Sequence, residues 1–171
     1  MQLSRRAFLR ARSLPQDKSF RPPWAVEESR FLKQCSRCLE CVTACPTGLL
    51  IKGEGGFPEA NFTPGHAVAG CTFCGDCVLV CQPKVLCREV ERSVPWRLQA
   101  IFGAQCLTQQ GVVCRTCGES CEVGAIRFSP RLGGVAQPQL SAEACTGCGA
   151  CLADCPTHAI RIDSIVQQGA L

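Results

Sequence analysis

Residues 35–46 read Cys35-Ser36-Arg37-Cys38-Leu39-Glu40-Cys41-Val42-Thr43-Ala44-Cys45-Pro46, and residues 145–156 repeat the skeleton as Cys145-Thr146-Gly147-Cys148-Gly149-Ala150-Cys151-Leu152-Ala153-Asp154-Cys155-Pro156. Both follow C-x2-C-x2-C-x3-C-P. Another copy spans Cys71, Cys74, Cys77 and Cys81, with its proline displaced by one residue to Pro83. An irregular copy, Cys106, Cys114, Cys117 and Cys121, inserts residues 107–113 between its first two cysteines and has no proline after its last. Sixteen of the 17 cysteines fall into these four runs. Cys87 is left over and reads as a small buried hydrophobe.

Cysteine at this density implies disulfides, zinc or iron–sulfur clusters, and spacing discriminates among them. Cysteines three residues apart on a tight loop pair poorly at an unstrained Cα separation, and the odd total also counts against a disulfide framework. Zinc takes two C-x2-C knuckles around one tetrahedron. Here three cysteines follow at one interval and a fourth comes four residues later. That order is the bacterial iron–sulfur run, in which three thiolates grip one face of a cube and the fourth reaches a neighbouring cube. A proline after the fourth cysteine helps turn the chain away, through its fixed φ and missing N–H.

Applied within each pair of runs, this cross-over predicts four ligand sets. Set I is Cys35, Cys38, Cys41 and Cys81; set II is Cys71, Cys74, Cys77 and Cys45. Set III is Cys106, Cys114, Cys117 and Cys155; set IV is Cys145, Cys148, Cys151 and Cys121. The three regular runs predict three 4Fe–4S clusters. The irregular run either adds a fourth, holds an atypical or labile cluster, or has Cys106 replaced as ligand.

The rest of the composition suits such a protein. Of 171 residues 46% are nominally hydrophobic, but without the cysteines the share is 62 residues, or 36%, too few for a thick conventional core. Lys and Arg number 18 against 14 Asp and Glu, a formal +4 that counts thiols as neutral, whereas cluster ligands are thiolates. No 18-residue apolar run is present, so no membrane span is expected. The positive charge is not interleaved with stacking aromatics, which argues against nucleic-acid binding. No Ser-His-Asp set, Gly-rich phosphate loop or H-E-x-x-H occurs, so the expected chemistry is electron or cluster transfer without a separate catalytic centre. His66 and His158 flank cysteine-bearing segments and read as surface or supporting residues, because four cysteines already serve each cluster.

The expected fold class is α+β: two tandem bacterial-ferredoxin-like modules, residues 35–87 and 106–163, built from short helices and short antiparallel hairpins. Helical turns are predicted within 39–45, 75–81 and 149–155, and short strands at 49–51, 85–86, 125–128 and 159–162. Gly75, Gly147 and Gly149 sit where backbone would approach inorganic sulfide. Residues 88–105 form a connector, its apolar tail Leu98, Ala100, Ile101 and Phe102 reading as a short helix, and 164–171 form a tail.

Residues 1–34 read as a basic N-terminal arm with eight Lys or Arg, three acidic residues and no cysteine. Ser4-Arg5-Arg6-Ala7-Phe8-Leu9 is similar to a twin-arginine export motif, but the apolar stretch an export signal needs does not follow. A cytoplasmic protein is therefore expected, with Arg5, Arg6, Phe8 and Leu9 docking a partner. A reducing compartment also suits this many thiolates.

Several non-cysteine segments carry a more specific resemblance: Ser4-Arg5-Arg6, Arg21-Pro22-Pro23-Trp24, Gly55-Gly56-Phe57-Pro58 followed by Asn61-Phe62, and Gln137-Pro138-Gln139-Leu140 ahead of the last run. Together with the irregular third run, they resemble the NapF family, ferredoxin-type accessory proteins of the periplasmic nitrate reductase system, along essentially the whole chain. The resemblance implies a cytoplasmic partner of NapA, the molybdenum-containing catalytic subunit, that helps assemble the NapA iron–sulfur cluster before export. The family's ligands carry over onto the runs at 35–45, 71–81 and 145–155. A ferredoxin-type electron relay to a reductase is the other function such clusters allow.

Overall fold

Cysteines at every third or fourth position leave no room for long regular elements. The computed structural model describes residues 20–64, 69–88 and 94–165. Among them one helix, α1 (Glu28–Gln34), exceeds a single turn; the Glu27 side chain caps it by accepting from the Ser29 and Arg30 amides. Each cysteine run then forms a one-turn helix: α2 (Glu40–Thr43), α3 (Asp76–Leu79), α4 (Thr116–Glu119) and α5 (Ala150–Ala153). The second residue of each turn is a buried cysteine, Cys41, Cys77, Cys117 or Cys151.

The strands close each half at two places. β1 (Leu50–Lys52) pairs antiparallel with β2 (Pro58–Ala60), and β4 (Ile126–Ser129) with β5 (Gln137–Leu140), in matching positions of the two halves. β3 (Leu98–Phe102) pairs with β6 (Ile160–Ser164), placing Leu98 opposite Ser164 and Phe102 opposite Ile160. The first half makes the same closure with less backbone. An Ala25–Leu86 bridge joins its ends, with the Val26 N–H donating to the Val85 carbonyl at 2.9 Å and the Cys87 N–H to the Trp24 carbonyl at 3.0 Å. Short helices and small antiparallel sheets make the class α+β.

Three expectations change. The helix expected in the connector is strand β3: Leu98 and Ala100 are buried alternately against Ile160 and Ile162, a period of two that local helical propensity does not overcome. Residues 85–86 form a single bridge instead of a strand. Residues 20–34, expected as part of a basic arm, are built into the first half. Phe20 bridges to Ala60, Trp24 and Val26 are buried, and Phe31 on α1 is fully buried. Arg21 ties this segment down, donating from Nη2 to Glu28 at 2.7 Å and from Nη1 to the buried Glu59 at 3.3 Å while lying over the Phe31 and Phe57 rings.

Two apolar cores result, one around Phe31, Leu49, Leu50, Val85 and Leu86, the other around Leu98, Ile126, Leu152, Ile160 and Ile162. Phe20, Phe62 and Trp96 pack against both. They belong to a chain of edge-to-face rings, Phe20–Phe62–Trp96–Phe73–Trp24, with centroids 5.6–6.1 Å apart. Polar bonds reinforce this seam: Trp96 Nε1 donates to the Thr146 carbonyl at 2.9 Å, and the Cys71 N–H to the Cys148 carbonyl at 2.7 Å.

Two glycines make the seam possible. Gly70, at φ 76°, brings its backbone against α5, where a Cβ would lie 2.6 Å from the Cys148 carbonyl oxygen and the Ala150 nitrogen. Gly149, at φ 84°, would place a Cβ 2.6 Å from the Phe62 ring. Protein atoms, as well as any cluster sulfide, therefore require glycine here. Gly149→Ala is expected to destabilise the protein by at least about 1–2 kcal/mol, the usual cost of left-handed backbone in a residue with a Cβ, as read by urea denaturation of the iron-loaded protein.

Candidate metal centres

The cysteine runs meet in pairs. In the first half α2 packs against α3, and in the second α4 against α5. Each packing brings the last cysteine of one run to the first three of the other. Four cavities follow. One is lined by Cys35, Cys38, Cys41 and Cys81, a second by Cys45, Cys71, Cys74 and Cys77. A third is lined by Cys106, Cys114, Cys117 and Cys155, the fourth by Cys121, Cys145, Cys148 and Cys151. Sets I to IV are thus four separate groupings in space. Otherwise the walls are largely apolar, with Phe31, Leu39 and Val85 around set I and Phe102, Phe128 and Ile160 around set III.

The donor geometry distinguishes a cluster from a single ion. Among the described residues no three Cys, His, Asp or Glu side chains converge tightly enough to hold one metal ion. Instead each set of four cysteines lines its own cavity, open in part to solvent. Tetrahedral zinc gathers its thiolates about 2.3 Å from one ion, whereas a 4Fe–4S cube takes its four thiolates at separate corners. His158 is exposed and lines none of the four cavities. His66, and with it Arg5, Arg6, Phe8 and Leu9, lies outside the described residues.

Electrostatics favour a bound cation in each cavity. Burial first, then repulsion from the other cysteines of its own set, pushes Cys41 up to about 11 and Cys117 up to about 11. The same causes push Cys77 and Cys151 up to about 12, with Cys41 and Cys117 of the adjoining sets also contributing. Burial likewise takes Cys71 to about 11, and Cys148 across the seam is one of the charges it senses. Metal-free, these thiols are protonated at neutral pH; iron displaces the protons and relieves the repulsion. Cys45 goes the other way. Burial pushes it up, but the Thr47 hydroxyl and the amides of Leu50, Thr47 and Leu49 hydrogen-bond to its sulfur and hold it below the ordinary thiol value.

The irregular third run is ordered at its insertion. The Gln109 N–H donates to the Cys106 carbonyl at 3.0 Å and the Val112 N–H to the Leu107 carbonyl at 2.9 Å, folding 106–112 into a compact turn. Thr108 is buried beneath it, its carbonyl accepting from Gln137 Nε2 on β5 at 2.6 Å. That anchor keeps Cys106 at the cavity wall despite the seven-residue insertion. Residue spacing did not reveal it, because Gln137 lies 29 residues away.

Comparison with known proteins agrees with this architecture. Two matches to the 4Fe-4S dicluster domain family cover residues 34–86 and 112–159, so the fold and sites define a ferredoxin-type protein carrying 4Fe–4S clusters. The ferredoxin-type protein NapF of Escherichia coli (strain K12) is 43% identical over 160 residues, covering 94% of each chain. NapF of Haemophilus influenzae is 42% identical over 147 residues, 86% of this chain and 80% of that protein. The methylamine utilization ferredoxin-type protein MauM of Methylorubrum extorquens is 29% identical over 161 residues, covering 87% and 73%. The chain belongs to the NapF family of ferredoxin-type proteins. No helix among the described residues is long and apolar enough to cross a membrane.

Proposed function

We propose that the protein holds four 4Fe–4S clusters, one in each of sets I to IV, and works in the cytoplasm as a non-catalytic accessory of periplasmic nitrate reductase. It binds the catalytic subunit NapA and assists assembly of that subunit's 4Fe–4S cluster before export. Similarity to NapF along 94% of both chains carries the system assignment. The cluster count rests on four separate four-cysteine cavities, the irregular run included. Sets III and IV fall within residues 106–163 and sets I and II within 35–87, so each module is a dicluster unit. The clusters supply electrons or iron–sulfur units; the chain's own residues hold them, exclude water and present them at the surface.

Anaerobic iron and sulfide analysis tests the count, with about 16 of each expected per chain; about 12 would remove set III. Cys45→Ser tests the cross-over. It is expected to alter the EPR signal of the second run's cluster and leave the first run's unchanged, and the reverse pattern would refute the assignment. The role is tested by mixing iron-loaded protein with metal-free NapA. Iron appearing in NapA together with activity supports maturation.

Electron relay is the second reading, favoured by the 2.7 Å hydrogen bond from the Cys71 N–H of set II to the Cys148 carbonyl of set IV. It joins the cavities of the two halves through one short bonded path. Reoxidation of reduced protein by NapA with all iron retained would support it over maturation.

A further inference from the structure

Sets III and IV form a matched pair. Each has three half-buried cysteines and one buried cysteine. Each has a backbone donor to its cross-over sulfur, from the Ala159 N–H to Cys155 at 3.3 Å and from the Ala125 N–H to Cys121 at 3.2 Å, and in set III the Cys117 amide also bonds its own sulfur. Side-chain hydroxyls separate them. In set III, Thr108 Oγ1 lies 3.2 Å from Cys106 Sγ, Thr116 Oγ1 3.6 Å from Cys114 Sγ, and Thr157 Oγ1 3.8 Å from Cys155 Sγ. Three of its four sulfurs therefore face a hydroxyl, each two residues further along the chain. Among the described residues no hydroxyl is recorded on a sulfur of set IV. Ser120, beside that cavity, has its hydroxyl 2.5 Å from Asp154 Oδ2, the stronger acceptor for its one proton, and 3.0 Å from the Thr116 carbonyl.

A ligand sulfur is ionised and can only accept, so each threonine is the donor. Thr108 also lies 3.2 Å from Gln137 Oε1, but a charged sulfur is the stronger acceptor for its one proton. Reduction by one electron adds negative charge that the ligand sulfurs share. Donors already aimed at those sulfurs stabilise the reduced state more than the oxidised one and raise the potential. Flanking charge acts in the same direction: Arg115 is a sequence neighbour of a set III ligand, whereas set IV has Glu122 next to Cys121 and Asp154 bonded to Ser120 at its cavity.

We propose, resting on the four-cluster reading above, that Thr108, Thr116 and Thr157 are positioning residues that give the cluster at set III a higher reduction potential than the cluster at set IV. A single electron delivered to the second half then resides at set III, the end away from the Cys71–Cys148 seam. The analogous Thr47, 3.6 Å from Cys45 Sγ, serves set II alone.

The test is a redox titration of the iron-loaded full chain with dithionite, followed by EPR. Cys106→Ser and Cys145→Ser identify the signals of sets III and IV. In the wild type the set III signal is expected at higher potential. The double variant Thr116→Val/Thr157→Val is expected to lower it with iron content unchanged, Thr116→Ser/Thr157→Ser to restore it, and Thr47→Val to leave it in place. A set III potential at or below that of set IV, or one unmoved by the double variant, overturns the proposal. If the double variant loses iron, Thr116→Val and Thr157→Val are titrated singly. Loss of iron from both would show that the hydroxyls hold the loop in place without tuning, and would equally overturn it. Fewer than four clusters in the wild type would instead refute the reading beneath it.

Discussion

Anaerobic removal of iron is expected to unfold most of the protein. Each half builds its core around buried cysteines, Cys41 and Cys77 in one and Cys117 and Cys151 in the other. Without clusters the chain is left with four thiol-lined cavities, open in part to solvent. The regular structure around them is too slight to compensate, with four one-turn helices and strands of three to five residues. One-turn helices are not stable alone, because nucleation costs more than a single turn returns. Binding free energy of the metal groups is therefore folding free energy. The readout is internal: the chain has two tryptophans, Trp24 and Trp96, and both lie in the ring chain between the halves. Chelation is expected to red-shift their emission and abolish near-UV circular dichroism. Unchanged spectra after complete iron loss would refute the dependence.

Trp96→Ala is expected to cost about 2–3 kcal/mol, below the range for a fully buried aromatic because Trp96 is half-buried. Trp96 packs against both cores, meets Phe62 and Phe73 edge-on at 5.6 and 5.8 Å, and donates to the Thr146 carbonyl. Its loss leaves that carbonyl without the indole donor and opens a gap in the seam. Urea denaturation followed by visible absorbance of the clusters should show a lower midpoint, and a broadened transition as the halves uncouple. Leu132→Ala, at a fully exposed position, is the control and should change stability by less than about 0.5 kcal/mol. Equal midpoints for the two variants would show that the seam carries no stability.

What was legible in the sequence was what short-range chemistry specifies. The C-x2-C-x2-C-x3-C runs announced cluster binding, because a loop that wraps three corners of a cube leaves little freedom in spacing. The strands at 50–52, 126–129 and 160–164 appear within one or two residues of expectation, since each follows a cysteine run as a short apolar stretch. The connector misled, because Leu98, Ala100, Ile101 and Phe102 fit either period and only the partner strand at 160–164 selects two. Residues 20–34 misled for a different reason. Their charge suggested a solvated arm, yet Arg21 finds Glu28 and Glu59 and spreads over two rings, so the basic character is consumed internally.

The chain by itself determined the chemistry: three regular runs of thiols, iron–sulfur in kind, an irregular fourth whose cluster it left open, and too few apolar residues to fold without them. Tertiary structure decided what those runs become together. It set the ring seam that joins two cores, the glycines at 70 and 149 that let backbones approach across it, and the burial of Thr108 beneath an inserted turn. Ligand spacing is legible because it acts over three or four residues. Contacts such as Cys71 to Cys148, Trp96 to Thr146 and Gln137 to Thr108 join residues 29 to 77 positions apart, and only the folded chain brings them within bonding distance.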